Sequence, residues 1–306
     1  MTKIVVAGEG MIELSGDHAS GWRLGYGGDT LNTAIHLARL GRDVAYLTAL
    51  GDDPFSDDLR RALNAERVDS GLILTDPERR PGLYAITNDP DGERHFTYWR
   101  GESAARRLFT LPGIDAALKV AEQADLLVYS MISLAILPPE GREALFDLAT
   151  RVRRRGGRVA FDTNYRRLLW RDSDEARAAH ARAMALADIG LPTLEDEAAL
   201  AGSDDLRAVL DLWSSAGVGE VVVKLGADGC VANGVVIPPP GPLVPRDTSG
   251  AGDAFNAGYL HARLAGKPPR EAALAGHRLA GWVVMARGAV PPVTDDAPYD
   301  VLAGLA

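Results

Sequence analysis

Short apolar runs alternate with amphipathic stretches along most of this chain. The apolar runs are predicted as strands at residues 4–7, 44–49, 126–129, 159–161, 189–191 and 221–224. Helical periodicity lies between them, at residues 30–40, from Asp53-Pro54 onward, and at residues 140–155 and 204–216. Elements that alternate in this way form a mostly parallel sheet with helices on both faces. The ligand site of such a sheet lies at the carboxyl ends of its strands.

One segment departs from this alternation. Residues 83–100 are predicted as an antiparallel hairpin whose turn contains Asp91-Gly92, a strong hairpin signal. Because side chains alternate along a strand, Tyr98 and Arg100 share one face of it. A small antiparallel sheet on an α/β body suggests a lid, which we predict from about residues 12–27 and 83–100.

Composition is that of an ordinary globular protein. The chain has 306 residues, 46% hydrophobic and 25% charged, so one domain over residues 1–306 can bury a sizeable core. A net charge of −9 argues against nucleic acid or an anionic membrane as the main partner. No apolar run is long enough to span a membrane. The single cysteine, Cys230, precludes an internal disulfide and suits a cytoplasmic protein.

The stretch from Asp247 to Asp253 carries the strongest chemical signal. Gly250 and Gly252 lie where a long helix begins, and there free N–H groups and the positive end of the helix dipole favour an anion. Since glycine has no side chain, a phosphate can approach closely, and Asp253 would lie beside it. An acid in that position can accept the proton of an attacking hydroxyl. The alternative is a glycine-rich cap in which Asp253 only complements the dipole.

A second group of polar residues lies at the start of the predicted helix 30–40. Gly28, Asp29 and Asn32 combine bare backbone with side chains that can hydrogen-bond a polyol. The alternative is an ordinary helix start with Asp29 as its N-cap.

Two arginines are candidates for binding a carboxylate. Arg100 lies on the lid hairpin, and Arg166 follows the predicted strand 159–161. A guanidinium fork donates two parallel hydrogen bonds to a carboxylate. The alternative at each position is a surface or interdomain arginine.

Nucleotide-binding signals are weaker. Gly8-Glu9-Gly10 is only half of a dinucleotide fingerprint, and the chain has no Walker A sequence. The loop over residues 224–229 follows a strand and contains Lys224, Gly226 and Gly229. It either wraps a nucleotide or forms a plain turn.

Two segments together resemble the signatures of the ribokinase-like (PfkB) sugar kinases. The first contains Gly27-Gly28, Asn32 and Leu37-Ala38-Arg39-Leu40-Gly41, and the second is Asp247-Thr248-Ser249-Gly250-Ala251-Gly252-Asp253. Ser249 stands where the family usually has threonine. The resemblance covers residues 1–292, and it is strongest to the branch that phosphorylates 2-keto-3-deoxygluconate, through residues 27–32, 81–84, 98–100 and 162–170.

This resemblance implies an α/β, ribokinase-like fold with a small antiparallel β lid, and ATP-dependent phosphorylation of the terminal hydroxyl of a small sugar acid. It implies Asp253 as the catalytic base and the amides of Gly250, Ala251 and Gly252 as an anion hole. The implied sugar-acid contacts are Gly28, Asp29, Asn32, Tyr84, Tyr98, Arg100 and Arg166. The implied ATP contacts are Asn164, Lys224, Gly226, Gly229, Thr248 and His277.

The resemblance also implies Mg²⁺ and a homo-oligomer, a dimer formed through the lid. The family usually has an Asn-x-x-Glu motif that organises Mg²⁺, whereas this chain has Thr193 in place of the asparagine. Asp196 aligns best with the family glutamate, and Glu195 and Glu197 stay open as alternatives.

Two other functions stay open. Another PfkB sugar kinase, such as a fructokinase, would share the phosphate site without needing two arginines at the acceptor. A non-catalytic sugar-binding regulator would need neither Asp253 nor the intact glycines.

Overall fold

The fold is built on two sheets, seen here in a computed structural model that describes residues 3–17, 21–88 and 94–305. The strands of the larger sheet are β1 (Lys3–Ala7), β4 (Asp43–Leu50), β5 (Ile73–Thr75), β8 (Leu126–Ser130), β9 (Arg158–Asp162), β10 (Ile189–Gly190), β11 (Glu220–Lys224), β12 (Cys230–Ala232) and β13 (Val235–Ile237). The strands of the smaller sheet are β2 (Met11–Asp17), β3 (Gly21–Gly27), β6 (Gly82–Asn88) and β7 (Arg94–Trp99).

Helices cover both faces of the larger sheet. They are α1 (Asp29–Arg39), α2 (Pro54–Ala65), α3 (Ile114–Ala121), α4 (Met131–Ile136), α5 (Pro139–Arg154), α6 (Ser173–Leu186), α7 (Leu194–Ala201), α8 (Leu206–Ser215), α9 (Ala251–Leu264), α10 (Pro269–Val283) and α11 (Tyr299–Ala303). Within the described ranges, none of the helices has the length and apolar character needed to cross a membrane.

The larger sheet is mostly parallel, as the alternation of strands and helices predicts. Its strand order is β13-β12-β11-β10-β9-β8-β1-β4-β5. The pairs from β11 to β5 are parallel, and β12 and β13 add antiparallel pairs at one edge. Ser130 and Asp162 pair at the carboxyl ends of β8 and β9, and Glu9 follows the neighbouring strand β1. Polar side chains therefore gather at the carboxyl ends of these neighbouring central strands.

The core has two layers because side chains alternate along each buried strand. In β1, Val5 and Ala7 pack into the layer that contains α3 to α8. Ile4 and Val6 pack on the opposite face, in the layer that contains α1, α9 and α10. Both layers consist of buried hydrophobic side chains, which fix the strands and so the polar residues at their ends.

The smaller sheet consists of two antiparallel hairpins, β2–β3 and β6–β7, which meet in a parallel pair between β2 and β6. Tyr84 and Tyr98 are opposite each other and share one face, whereas Leu83 and Trp99 share the other. The Asp91-Gly92 turn predicted between β6 and β7 lies outside the described residues. The strands match the segments assigned to the lid to within one residue, and their action as a lid stays a prediction.

The start of α1 differs from the predicted N-cap. The cap position is Gly28, with φ of 144°, and Asp29 is the first helical residue. A Cβ on Gly28 would lie 2.2 Å from the carbonyl oxygen of Glu9, so only glycine fits this close approach of two backbones. The prediction of Asp29 as N-cap is therefore wrong, and its carboxylate is free for longer-range contacts.

Candidate functional site

The turn before α9 has the geometry of an anion-binding helix start. Gly250 caps the helix with φ of 70°, and a Cβ there would lie 2.4 Å from that of Ala289. Asp247 fixes the turn by accepting hydrogen bonds from the amides of Ser249, at 2.9 Å, and Gly288, at 2.6 Å. Glycine is thus required at position 250, and the first-turn amides are held in place around it.

Asp253 lies in the first turn of α9 and is buried. Asn32 of α1 donates a hydrogen bond to its Oδ2 at 2.8 Å. Burial raises the pKa of the Asp253 carboxyl to about 8, and the charges of Asp29 and Asp162 add to this effect. The bond from Asn32 and the charge of Lys224 act in the opposite direction. A carboxyl with a pKa near neutrality is suited to accept a proton during a reaction and release it afterwards.

A closed ring of hydrogen bonds lies beside the start of α9. Lys224 donates to Asp162 Oδ1 at 2.9 Å and to Asn256 Oδ1 at 3.1 Å, and Asn256 Nδ2 donates to Asp162 Oδ2 at 2.8 Å. The Lys224 Nζ lies 3.8 Å from where a Cβ on Gly252 would be. This buried cation therefore reinforces the positive end of the helix dipole where an anion would bind.

Asp29 connects three structural elements. Its Oδ2 accepts hydrogen bonds from Ser130 at the end of β8 and from Asn164 Nδ2, at 3.0 Å, in the loop after β9. Burial raises the pKa of Asp29, and the Ser130 bond opposes this. Asn164, predicted to contact ATP, has a positive φ of 23° and donates its side-chain amide to Asp29.

Arg100 forms a buried ion pair with Glu9. Both its Nε, at 2.8 Å, and its Nη2 donate to Glu9 Oε2. Glu9 is 1% exposed and Arg100 is 7% exposed. The sequence predicted Arg100 either as a carboxylate ligand or as a surface or interdomain arginine, and it gave Glu9 no role.

The two tyrosines of the smaller sheet lie side by side. Their ring centroids are 5.9 Å apart, and the Tyr84 hydroxyl donates to Glu13 Oε2. A Cβ on Gly27 would lie 2.0 Å from the Tyr84 hydroxyl oxygen, so that glycine makes room for the ring. Burial raises the pKa of Tyr98, whereas the charges of Arg100 and then Arg166 lower it. Both positive charges therefore favour the ionised form of the Tyr98 hydroxyl.

Of the three acids in the altered metal motif, Asp196 faces the site. Arg166 Nη1 donates to Asp196 Oδ1 at 3.2 Å. Burial raises the pKa of Asp196 to about 6, and the charge of Arg166 opposes this. Glu195 is exposed. Glu197 is fully buried and accepts hydrogen bonds through Oε1 from Thr163, His180 and Trp213.

The predicted ATP contacts are not all on one surface. Gly226 is exposed with φ of 61°, and Gly229 has φ of 99°, conformations that favour glycine. Thr248 is exposed beside the α9 turn. His277 is instead packed into the core, where its Nε2 lies 2.9 Å from the Ile237 carbonyl oxygen and 3.5 Å from Cys230 Sγ.

Comparison with known proteins identifies the family. Residues 1–296 match the model of the pfkB family carbohydrate kinases. The chain belongs to this family. It is 44% identical over 303 residues to 2-dehydro-3-deoxygluconokinase of Escherichia coli (strain K12), covering 95% of this chain and 97% of the relative. It is 34% identical over 278 residues to a fructokinase of Klebsiella pneumoniae, covering 89% and 88%.

A solved structure supports the same assignment. The fructokinase from Vibrio cholerae O395, in its fructose, ADP and calcium ion bound form, has a TM-score of 0.85 at 26% identity, with 99% of each chain covered. The family, the ribokinase-like fold and the kinase activity predicted from sequence are confirmed. As a pfkB carbohydrate kinase, the protein uses ATP as its phosphoryl donor.

Three polar residues of the site that were not predicted from the sequence share one sequence feature, their position at the end of a strand. Glu9, Ser130 and Asp162 each lie at or just beyond the carboxyl end of a strand, and those strands are neighbours. A search for polar residues at the ends of the predicted strands would have found them. Asn256 is one helical turn after Asp253, a spacing that would have flagged it too.

Proposed function

We propose that this kinase transfers the γ-phosphoryl group of ATP to the terminal hydroxyl of 2-keto-3-deoxygluconate, giving the 6-phosphate. The observation that carries the proposal is the position of the Arg100 guanidinium, whose carbon lies 5.9 Å from the Tyr98 ring centroid. The charge of Arg166, like that of Arg100, lowers the pKa of Tyr98, so both cations act on this part of the site. The likeness to 2-dehydro-3-deoxygluconokinase, at 44% identity, supports the same substrate.

At the acceptor end, the arginines hold the carboxylate through charge-assisted hydrogen bonds. Gly28, Asp29 and Asn32 at the start of α1, with Tyr84, accept and donate hydrogen bonds along the sugar chain. A carboxylate fixed at one end places the terminal hydroxyl at the other end, beside Asp253. Positioning of this kind supplies much of the catalysis in phosphoryl transfer.

At the reacting end, Asp253 accepts the proton of the terminal hydroxyl as the phosphoryl group moves in line. The amides of Gly250, Ala251 and Gly252 offset the charge that builds up on the phosphoryl oxygens. The Lys224 ammonium adds a positive charge beside them. Closure of the smaller sheet over the site would exclude water, which otherwise competes as acceptor.

The residues present fit Mg²⁺. Within the described ranges, no cluster of three or more His, Cys, Asp or Glu side chains could hold a metal ion alone. Mg²⁺ in kinases is typically held by one or two carboxylates together with phosphates and water. Asp196 is the carboxylate we assign to it, because it faces the site and Glu197 is occupied by its buried partners. When bound, Mg²⁺ would neutralise charge on the phosphates.

The proposal is tested by ADP release with Mg·ATP and a panel of acceptors. We expect strong preference for 2-keto-3-deoxygluconate over gluconate, fructose, ribose and adenosine. Preference for fructose would support the fructokinase alternative, since the chain is 34% identical to the fructokinase of Klebsiella pneumoniae. No acceptor-dependent ADP release would favour the non-catalytic regulator.

Arg166→Ala should raise the KM for the sugar acid at least about tenfold, because a charge-assisted hydrogen bond contributes about 1.5–3 kcal/mol. The KM for ATP should change far less, measured at saturating Mg²⁺ because Arg166 also contacts Asp196. Arg171→Ala is the control, since Arg171 is an exposed arginine paired only locally, with Asp172. Equal effects of Arg166→Ala on both KM values would contradict carboxylate recognition.

The outer face of the smaller sheet supports a dimer formed through the lid. Trp22, Leu24 and Trp99 are 43%, 47% and 59% exposed. The strand register places all three on the face opposite Tyr84 and Tyr98. An apolar patch of this kind on a folded protein is typical of an interaction surface.

Trp99→Glu should therefore shift the protein toward monomer in sedimentation velocity at micromolar concentration, since a charge would be buried in the interface. Val301→Glu, at an exposed apolar position on α11, is the matched control and should leave the mass unchanged. A wild-type monomer, or a Trp99→Glu variant of unchanged mass, would refute the interface.

A further inference from the structure

The Glu9–Arg100 pair connects the two sheets. Arg100 follows β7 of the smaller sheet, and Glu9 follows β1 of the larger sheet. Both side chains are almost wholly buried, so neither loses its partner to water. The pair fixes the guanidinium at the boundary between the lid strands and the body.

Neighbouring backbone packs closely around Glu9. Its carbonyl oxygen lies 2.2 Å from the place of a Cβ on Gly28, and its Oε1 lies 2.8 Å from that of a Cβ on Gly82. The same Gly82 position is 3.1 Å from the Arg100 Cβ. Because α1 and β6 enclose it in this way, the carboxylate has little freedom to move away from Arg100.

The contact uses only one side of the guanidinium. An arginine has five N–H donors in a planar fork. Glu9 Oε2 accepts from Nε and from Nη2, which together form the side edge. Among the described residues, no hydrogen-bond partner is present for Nη1, so the end formed by Nη1 and the second Nη2 hydrogen stays available. That end is the geometry that grips a carboxylate with two parallel bonds.

We propose that Glu9 is a positioning residue for acid selectivity: it holds Arg100 by its side edge so that the free end of the fork meets the carboxylate of the sugar acid. This inference rests on the proposed function. Glu9 does not touch the substrate but acts through Arg100. The Tyr98 ring, whose centroid is 5.9 Å from the Arg100 guanidinium carbon, supports the same orientation from one face.

The test compares two acceptors that differ only in the group at one end, which is charged in one and neutral in the other. One is 2-keto-3-deoxygluconate, and the other is 3-deoxyfructose, which carries a hydroxymethyl group in place of the carboxylate. Glu9→Gln keeps the size of the side chain and removes the charge that orients Arg100. We expect kcat/KM for the acid to fall at least about tenfold, mainly through KM, because charge-assisted bonds are the stronger class. For 3-deoxyfructose and for ATP, the change should stay within about threefold.

Glu220→Gln is the matched control. Glu220 forms a comparable, largely buried pair with Arg263 at 2.7 Å. Glu220 is the first residue of β11, so this pair lies at the amino end of the strand and the site lies at the carboxyl ends. This variant should leave the ratio of acid to neutral acceptor unchanged.

A second variant keeps the proposal testable if Glu9→Gln does not fold. Arg100→Lys retains a cation beside Glu9 but has no fork, and it should also lose the acid preference. Equal losses for acid and neutral acceptors in Glu9→Gln, or an undiminished acid preference in either variant, would overturn the inference. A wild-type enzyme that does not turn over the sugar acid would instead refute the proposed function.

Discussion

Asp253→Asn should lower turnover at least about 100-fold while the fold persists, because a general base contributes about that much or more. Asparagine keeps the shape of the side chain and can still bond Asn32, whose amide donates to Asp253 at 2.8 Å. The measurement is kcat under saturating Mg·ATP and sugar acid, with circular dichroism and thermal unfolding to confirm folding. Near-normal turnover in a folded variant would rule out the role of base.

The pH dependence of the wild type tests the same residue. Since burial raises the pKa of Asp253 to about 8, kcat/KM should rise with pH through about 8 as the carboxylate forms. Between its ordinary value of 3.8 and about 8, this group binds a proton in the folded state but not in the unfolded one. The wild type should therefore lose stability as pH rises through that window, and Asp253→Asn should lack that loss.

Arg100→Met should lower the free energy of unfolding by about 3–5 kcal/mol, because it leaves the buried carboxylate of Glu9 without a counter-charge. Glu9 is 1% exposed, and its Oε1 already has no hydrogen-bond partner among the described residues. Urea unfolding at neutral pH measures the change, and the double variant Glu9→Gln/Arg100→Met should recover most of it.

An exposed arginine provides the control for the loss of unfolding free energy in Arg100→Met. Arg207 pairs with Asp211 at 3.6 Å on the surface, and both side chains are largely exposed. Arg207→Met should change stability little, because solvent screens such pairs. A loss in Arg100→Met no larger than that in Arg207→Met would mean that Glu9 is not held as an uncompensated charge.

Local features of the fold were predictable because they depend on neighbours in sequence. The alternation of strands and helices, the N-cap of α2 at Asp53 and the glycine turn before Asp253 are each encoded within a few residues. Asp53 accepts hydrogen bonds from the amides of Phe55 and Ser56, as a cap followed by proline should.

The polar partners in the site were not predictable because they join residues far apart in the chain. Glu9 and Arg100 are 91 positions apart, and Lys224 and Asp162 are 62 apart. Sequence periodicity does not indicate such a side-chain pair, because the pair forms only when the fold brings the two segments together. Asp29 shows the effect directly: its local sequence favours a cap, whereas its carboxylate bonds Ser130, 101 positions away.

The environment of Cys230 offers a built-in reporter of folding. It is the only cysteine in the chain, it is fully buried between β11 and β13, and burial raises the pKa of its thiol to about 12. Because only the thiolate reacts with alkylating reagents, the folded protein should be inert to them. The rate of labelling thus reports openings of the β12–β13 edge of the larger sheet. It distinguishes a variant with an altered site from one whose scaffold has loosened.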